Sequence, residues 1–177
     1  IREKSLGKDD VAVAISLNNL AVMLATQGAH AEARPLYERA LAIRERVLGG
    51  DHPEVAVSLN NLARLLRAQG AYADARPLYE RALAIKEKAL GKEHPSVATS
   101  LNNLAFLLAT QGAYAEARPL YERALSIREK AFGKDHPDVA TSLNNLAPLL
   151  ASEGSYAAAR PLHERALAIR EKAFGKD

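Results

Sequence analysis

The sequence predicts an all-α fold, an α-solenoid of stacked antiparallel helix pairs. Two observations carry this. First, the chain repeats itself: LNNLA begins at Leu17, Leu59, Leu101 and Leu143, and ARPL begins at Ala33, Ala75, Ala117 and Ala159, always 42 residues apart. Residues 51–92 laid over 93–134 agree at 32 of 42 positions without an insertion, a fixed period of the kind solenoids show. Second, each period contains two amphipathic stretches separated by glycine. The chain therefore reads as a single array over residues 1–177. It has four repeats, 9–50, 51–92, 93–134 and 135–176, preceded by residues 1–8 as the tail of a truncated repeat.

Residues 51–92 show how one repeat is built. Asp51 is expected to cap the first helix, with Pro53 in its opening turn and Glu54 completing a capping box. Val55, Leu59, Leu62 and Leu66 then fall on one stripe. Gly70 is placed to end that helix in a left-handed turn. A second helix is predicted from Tyr72 to Leu90, with Ala75, Leu78, Tyr79, Ala82, Leu83, Ile85 and Ala89 on a wide apolar face. Gly91 ends it, and His94-Pro95 opens the next repeat. Connections this short make neighbouring helices antiparallel. Pro35, Pro77, Pro119 and Pro161 sit early in the second helices, where a local bend is expected. Pro148 lies well inside a first helix, where proline costs about 3 kcal/mol.

The series Leu59-x-x-Leu62-Ala63-x-x-Leu66, followed by Gln69-Gly70-x-Tyr72-x-x-Ala75-x-x-x-Tyr79-x-x-Ala82-Leu83, resembles the tetratricopeptide repeat. Leucine stands where that family usually has tryptophan, and the second helix is about two turns longer than in the usual 34-residue unit. LNNLA, EARPLYERAL and GKDHPDVA are similar to the 42-residue repeats of kinesin light chains. The resemblance covers essentially the whole chain. It implies a right-handed, tetratricopeptide-like superhelix that binds a peptide or protein segment in a concave groove lined by the first helices.

Composition excludes several other classes. Hydrophobic residues make up 48% of the chain but aromatics only 5%, and alanine and leucine dominate. With 24 basic and 21 acidic residues the net charge is +3. No basic block or aromatic-studded stripe points to nucleic acid. Cysteine is absent, which removes disulfides, thiolate metal sites and a cysteine nucleophile, and fits a reducing, cytoplasmic setting. No apolar run approaches the 18 residues of a membrane span, and no leader opens the chain.

Catalysis is not expected. His52, His94 and His136 each precede a proline at a helix start. Successive repeats stand about 10 Å apart, too far for these three to share a zinc ion with bonds near 2.1 Å. His30 and His163 replace tyrosines of the second repeat and read as core substitutes. Ser58, Ser100 and Ser142 are copied in each repeat, whereas a nucleophile needs one singular geometry. The ten glycines are accounted for as helix ends and turns, so no phosphate loop is present. No cofactor and no metal is expected.

Recognition is expected on the first helices. With Leu59 facing the core, Val57, Asn60, Asn61, Arg64 and Arg67 point away from it. Asn18 and Asn19, Asn60 and Asn61, Asn102 and Asn103, and Asn144 and Asn145 recur in every repeat. A ladder of amides can hold an extended peptide backbone; equally, one asparagine of each pair can bond the neighbouring helix and specify stacking. Beside the ladder the repeats diverge. Val22, Arg64, Phe106 and Pro148 are equivalent, as are Ala25, Arg67, Ala109 and Ala151, and Ile15, Val57, Thr99 and Thr141. Arg64 and Arg67 suit a carboxylate and Phe106 an apolar anchor, so the expected partner is a peptide with an acidic residue beside a hydrophobic one. First helices carry no lysine, so the lysine-based carboxylate clamp of chaperone-binding tetratricopeptide domains is not matched. The alternative reading is a structural spacer or self-assembling array with no specific ligand. The final helix keeps Leu162, Ala166, Leu167, Ile169 and Phe174 with no polar cap, which predicts end-to-end self-association.

Overall fold

A computed structural model describes residues 10–175. The expected repeat tail at residues 1–8 and the last residues, 176–177, lie outside the described part. The chain divides into two compact units, residues 1–89 and 90–177, each holding two helix pairs. Unit 1 contains α1 (Val11–Thr26), α2 (His30–Leu48), α3 (Pro53–Ala68) and α4 (Tyr72–Leu90). Unit 2 contains α5 (Pro95–Thr110), α6 (Tyr114–Phe132), α7 (Pro137–Ser152) and α8 (Tyr156–Phe174). The first helix of every pair has 16 residues and the second 19.

The helix starts differ from expectation by one residue. His52, not Asp51, is the N-cap of α3: its Nδ1 accepts from the Glu54 backbone N–H at 3.2 Å. His94 and His136 cap α5 and α7 in the same way, at 3.1 and 3.2 Å. The reason is Pro53, whose ring fixes the first helical position and pushes the preceding residue into extended backbone. Asp51 instead pairs with Lys88, and Glu54 reaches Arg44 at 3.2 Å rather than closing a capping box. At the other end of α3, Gly70 adopts φ +77 and the Ala71 N–H returns to the Leu66 carbonyl at 2.9 Å. A Cβ added to Gly70 would meet nothing within 4 Å, so backbone handedness, not space, requires glycine. The second helices run unbroken through Pro35, Pro77, Pro119 and Pro161.

Each pair closes on the same small set of side chains. Val13, Ala14, Ala40 and Ile43 join α1 to α2, with Leu17 against them. Val55, Ala56, Leu59, Ala82 and Ile85 join α3 to α4. Val139, Ala140, Leu143, Ala166 and Ile169 join α7 to α8. Ala14, Ala40, Ala56, Ala82 and Ala140 have no exposed surface; their single methyls let the helices approach closely, as packed interiors require. Full burial of Leu59 or Leu143 contributes about 1.5–3 kcal/mol of transfer free energy each.

Stacking of one pair on the next uses a buried cation that periodicity does not reveal. Arg44 of α2 is 3% exposed, and its Nη1 donates to Ser58 Oγ of α3 at 2.6 Å. In unit 2, Arg128 of α6 donates to Ser142 Oγ at 2.8 Å and to the Asp138 carbonyl at 3.3 Å. Ser58 and Ser142 are thus struts between repeats. Exposed pairs such as Arg34–Glu38 and Arg118–Glu122 add little each.

Candidate functional site

The asparagine pairs divide into two roles. Asn18 is buried and accepts a hydrogen bond from Asn61 Nδ2 at 2.8 Å, which ties α1 to α3. Asn102 is also buried, at 6% exposure, and Asn60 Nδ2 donates to the Ala56 carbonyl at 3.0 Å. Asn18 and Asn61, a first and a second member, thus join across the stack, whereas Asn60 turns back onto its own helix. Asn19 is exposed, and Asn61, Asn103, Asn144 and Asn145 are half-buried. Asn144 Oδ1 lies 3.4 Å from His163 Nδ1; His163 is exposed rather than a core residue.

Each unit has a cleft where the end of one pair meets the next first helix. In unit 1 it is lined by Val22, Thr26, His30, Tyr37, Asn61 and Arg64, with Ala25, Leu65 and Ala68 completing the walls, and has a volume of about 260 Å³. In unit 2 it is lined by Phe106, Thr110, Tyr114, Tyr121, Asn145 and Pro148, with Ala109, Asn144, Leu149 and Ser152, and has about 250 Å³. The two are the same site in different repeats. Tyr37 and Tyr121, Asn61 and Asn145, Thr26 and Thr110 are equivalent and identical. Val22 gives way to Phe106, His30 to Tyr114, Arg64 to Pro148 and Ala68 to Ser152. A constant frame thus carries a variable lining: a cation and an imidazole in unit 1, two aromatic rings and a proline in unit 2.

The two arginines expected side by side have different surroundings. Arg64 is exposed and lies in the cleft beside Tyr37. Arg67 is half-buried and hydrogen-bonded to Tyr79, whose hydroxyl is driven above the usual phenol range by burial, against the pull of the Arg67 and Arg64 charges. Tyr37 is likewise pushed up by burial, with the nearby Arg64 opposing. Both tyrosines are therefore neutral donors at physiological pH. Phe106 is 47% exposed at the mouth of its cleft, and Val57 and Ile15 are also exposed.

Sequence reasoning missed the second-helix side of these clefts: His30, Tyr37, Tyr114 and Tyr121. The substitution of His30 for tyrosine was a usable signal, but a residue in the consensus position reads as core. Among the described residues no group of His, Asp or Glu could hold a metal ion, and no helix is long and apolar enough to cross a membrane.

The tetratricopeptide repeat family profile matches residues 10–88, 65–130 and 96–172. In structure the chain is similar to BtubC (BKLC) from P. vanneervenii, with a TM-score of 0.87 and 27% identity over 99% of this chain and 70% of that one. It is also similar to a putative kinesin light chain of Podosopora anserina with nearly identical TPR-like repeats. There the TM-score is 0.82 and the identity 31%, over 97% of this chain and 81% of that one. The apo form of RapI, at 17% identity and a TM-score of 0.83 over 97% of this chain and 60% of that one, shares the fold. Comparison with curated proteins gives no match.

Proposed function

The chain belongs to the tetratricopeptide repeat family, and from that premise we propose that it is a protein-interaction scaffold, not an enzyme, which holds an extended peptide or protein segment along its first helices. One observation supports this best: the same cleft occurs in both units, with its frame kept and its lining changed. Packing dictates the frame; it does not dictate Val22 against Phe106 or Arg64 against Pro148, and positions that packing leaves open are where specificity can reside. The linings suit an acidic residue at Arg64 and an apolar anchor at Phe106. Arg67, engaged with Tyr79, supports the frame of the site, as do Asn18 and Asn60. Asn19, Asn103, Asn144 and Asn145 are the amides within reach of a bound backbone, and Asn61, held through Nδ2 by Asn18, has its oxygen left to offer.

The test is selection of peptides from a displayed library by the 177-residue chain. Enriched peptides are expected to carry an acidic and an apolar residue, and to bind Arg64→Gln and Phe106→Ala about tenfold more weakly. Peptides that bind both variants with unchanged affinity would refute the assignment.

A second reading, end-to-end association of this polypeptide, is favoured by α8, where Leu167 is 60% and Phe174 77% exposed. Open interfaces of repeat arrays associate head to tail without closing. Sedimentation across a wide concentration range is expected to show growing species that Leu167→Glu with Phe174→Glu abolishes. A monomer throughout would rule it out.

A further inference from the structure

Each of the four first helices begins on a side-chain cap, and three of the four caps are imidazoles. His52, His94 and His136 accept through Nδ1 the backbone N–H two residues on, at 3.2, 3.1 and 3.2 Å. α1 starts differently, on Asp10, whose carboxylate accepts from the Ala12 N–H at 2.6 Å. The difference is chemical. A ring nitrogen accepts only while it carries no proton, so each imidazole cap requires the neutral ring with its hydrogen on Nε2. The imidazolium is a donor at both nitrogens. It would lose the bond and set a positive charge against the positive end of the helix.

We infer that the imidazole caps make the array acid-sensitive: His52, His94 and His136 hold the starts of α3, α5 and α7 while neutral and release them when protonated, whereas α1 stays capped. The unfolded chain takes up these protons at the ordinary histidine value of about 6.5. The folded chain has to give up a hydrogen bond for each one. Stability from the caps is therefore full above that value and is lost as the pH falls through it. The surroundings grade the three. His136 is best provided for as a cation, with Asp138 Oδ2 at 3.9 Å and the Phe132 ring of α6 stacked on it at 4.6 Å. His52 has Glu54 in the place of Asp138, but that carboxylate also serves Arg44 of α2. His94 has only Ser96 there. The acids just before the rings, Asp51, Glu93 and Asp135, are paired with Lys88, Lys130 and Lys172 of the second helices. Arg81, Arg123 and Arg165 of those helices donate to carbonyls of the same turns, which also carry Lys92 and Lys134. These cations oppose a further positive charge. Sensitivity therefore falls in the order His94, His52, His136.

Thermal melting of the 177-residue chain at about pH 7.5 and about pH 5.5, a window in which ordinary carboxylates stay ionised, is the test. His52→Asn, His94→Asn and His136→Asn together replace each ring by an amide that caps at either pH. His30 and His163 remain to titrate in both proteins. The midpoint of the unsubstituted chain should fall by about 5 °C more than that of the triple variant. Among the single variants, His94→Asn should remove the largest part of that difference and His136→Asn the smallest. By NMR, the Glu54, Ser96 and Asp138 amides should shift as the imidazoles gain their protons, with the Ala12 amide unmoved. An equal fall in the triple variant would overturn the inference. So would an acid response that disappears with His30→Gln or His163→Gln instead, an Ala12 amide that moves with the others, or single variants of equal effect.

Discussion

Replacing Arg44 with alanine is expected to destabilise unit 1 by about 2–4 kcal/mol, the largest loss we anticipate from one polar side chain. The change removes a long, buried aliphatic stem, leaves a cavity between α2 and α3, and strips Ser58 of its 2.6 Å donor. Glu54, about half exposed, loses a partner but keeps its water, so it contributes little. Arg44→Met separates the causes. It refills the cavity without a charge to desolvate, and combined with Ser58→Ala it should recover most of the loss, since a buried ion removed together with its partner is often neutral. Urea denaturation of the three variants, with hydrogen exchange read in α2 and α3, is the measurement. A loss under about 0.5 kcal/mol for Arg44→Ala would mean the strut is ornamental.

The second large effect has the opposite sign. Pro148→Ala should stabilise the chain by about 2–3 kcal/mol. Pro148 is exposed inside the 16-residue α7, so the alanine meets no steric obstacle and returns a backbone donor for the Asn144 carbonyl. A rise of several degrees in melting temperature is expected; an unchanged or lower midpoint would contradict a strained α7. Pro148 also lines the unit 2 cleft. A costly residue at a position the frame leaves free makes sense if its ring is wanted at the cleft wall. The stabilised variant is therefore expected to bind apolar anchors less well.

Helix identity and length were legible because a 42-residue period repeats four times and glycine punctuates every pair. The predicted second helix, Tyr72 to Leu90, coincides with α4. The cap was displaced by one residue because Asp51 is the better generic cap, and the restraint that Pro53 places on its predecessor decides the matter locally. The Arg44–Ser58 strut was not legible: an arginine on a helix reads as solvated, and its partner lies 14 residues away across a turn. The asparagine pairs showed that something is constant, without saying which member faces the stack. That depends on how α1 and α3 approach each other, which brings the first member of one pair, Asn18, against the second member of the next, Asn61. Arg64 and Phe106 were visible as variation on a fixed frame. Tyr37 was not, because a tyrosine at that position reads as core, and only the fold brings it against Arg64 in the cleft.

The claim on which the account turns is that the repeated clefts are where a ligand sits. The most direct measurement is NMR mapping of a library-selected peptide on the isotope-labelled chain. The account predicts saturable perturbations at Val22, His30, Tyr37 and Arg64 in unit 1 and at Phe106, Tyr114 and Pro148 in unit 2, with the exposed Arg34–Glu38 and Arg118–Glu122 pairs unmoved. Perturbations centred on those ion pairs, with both clefts silent, would contradict it.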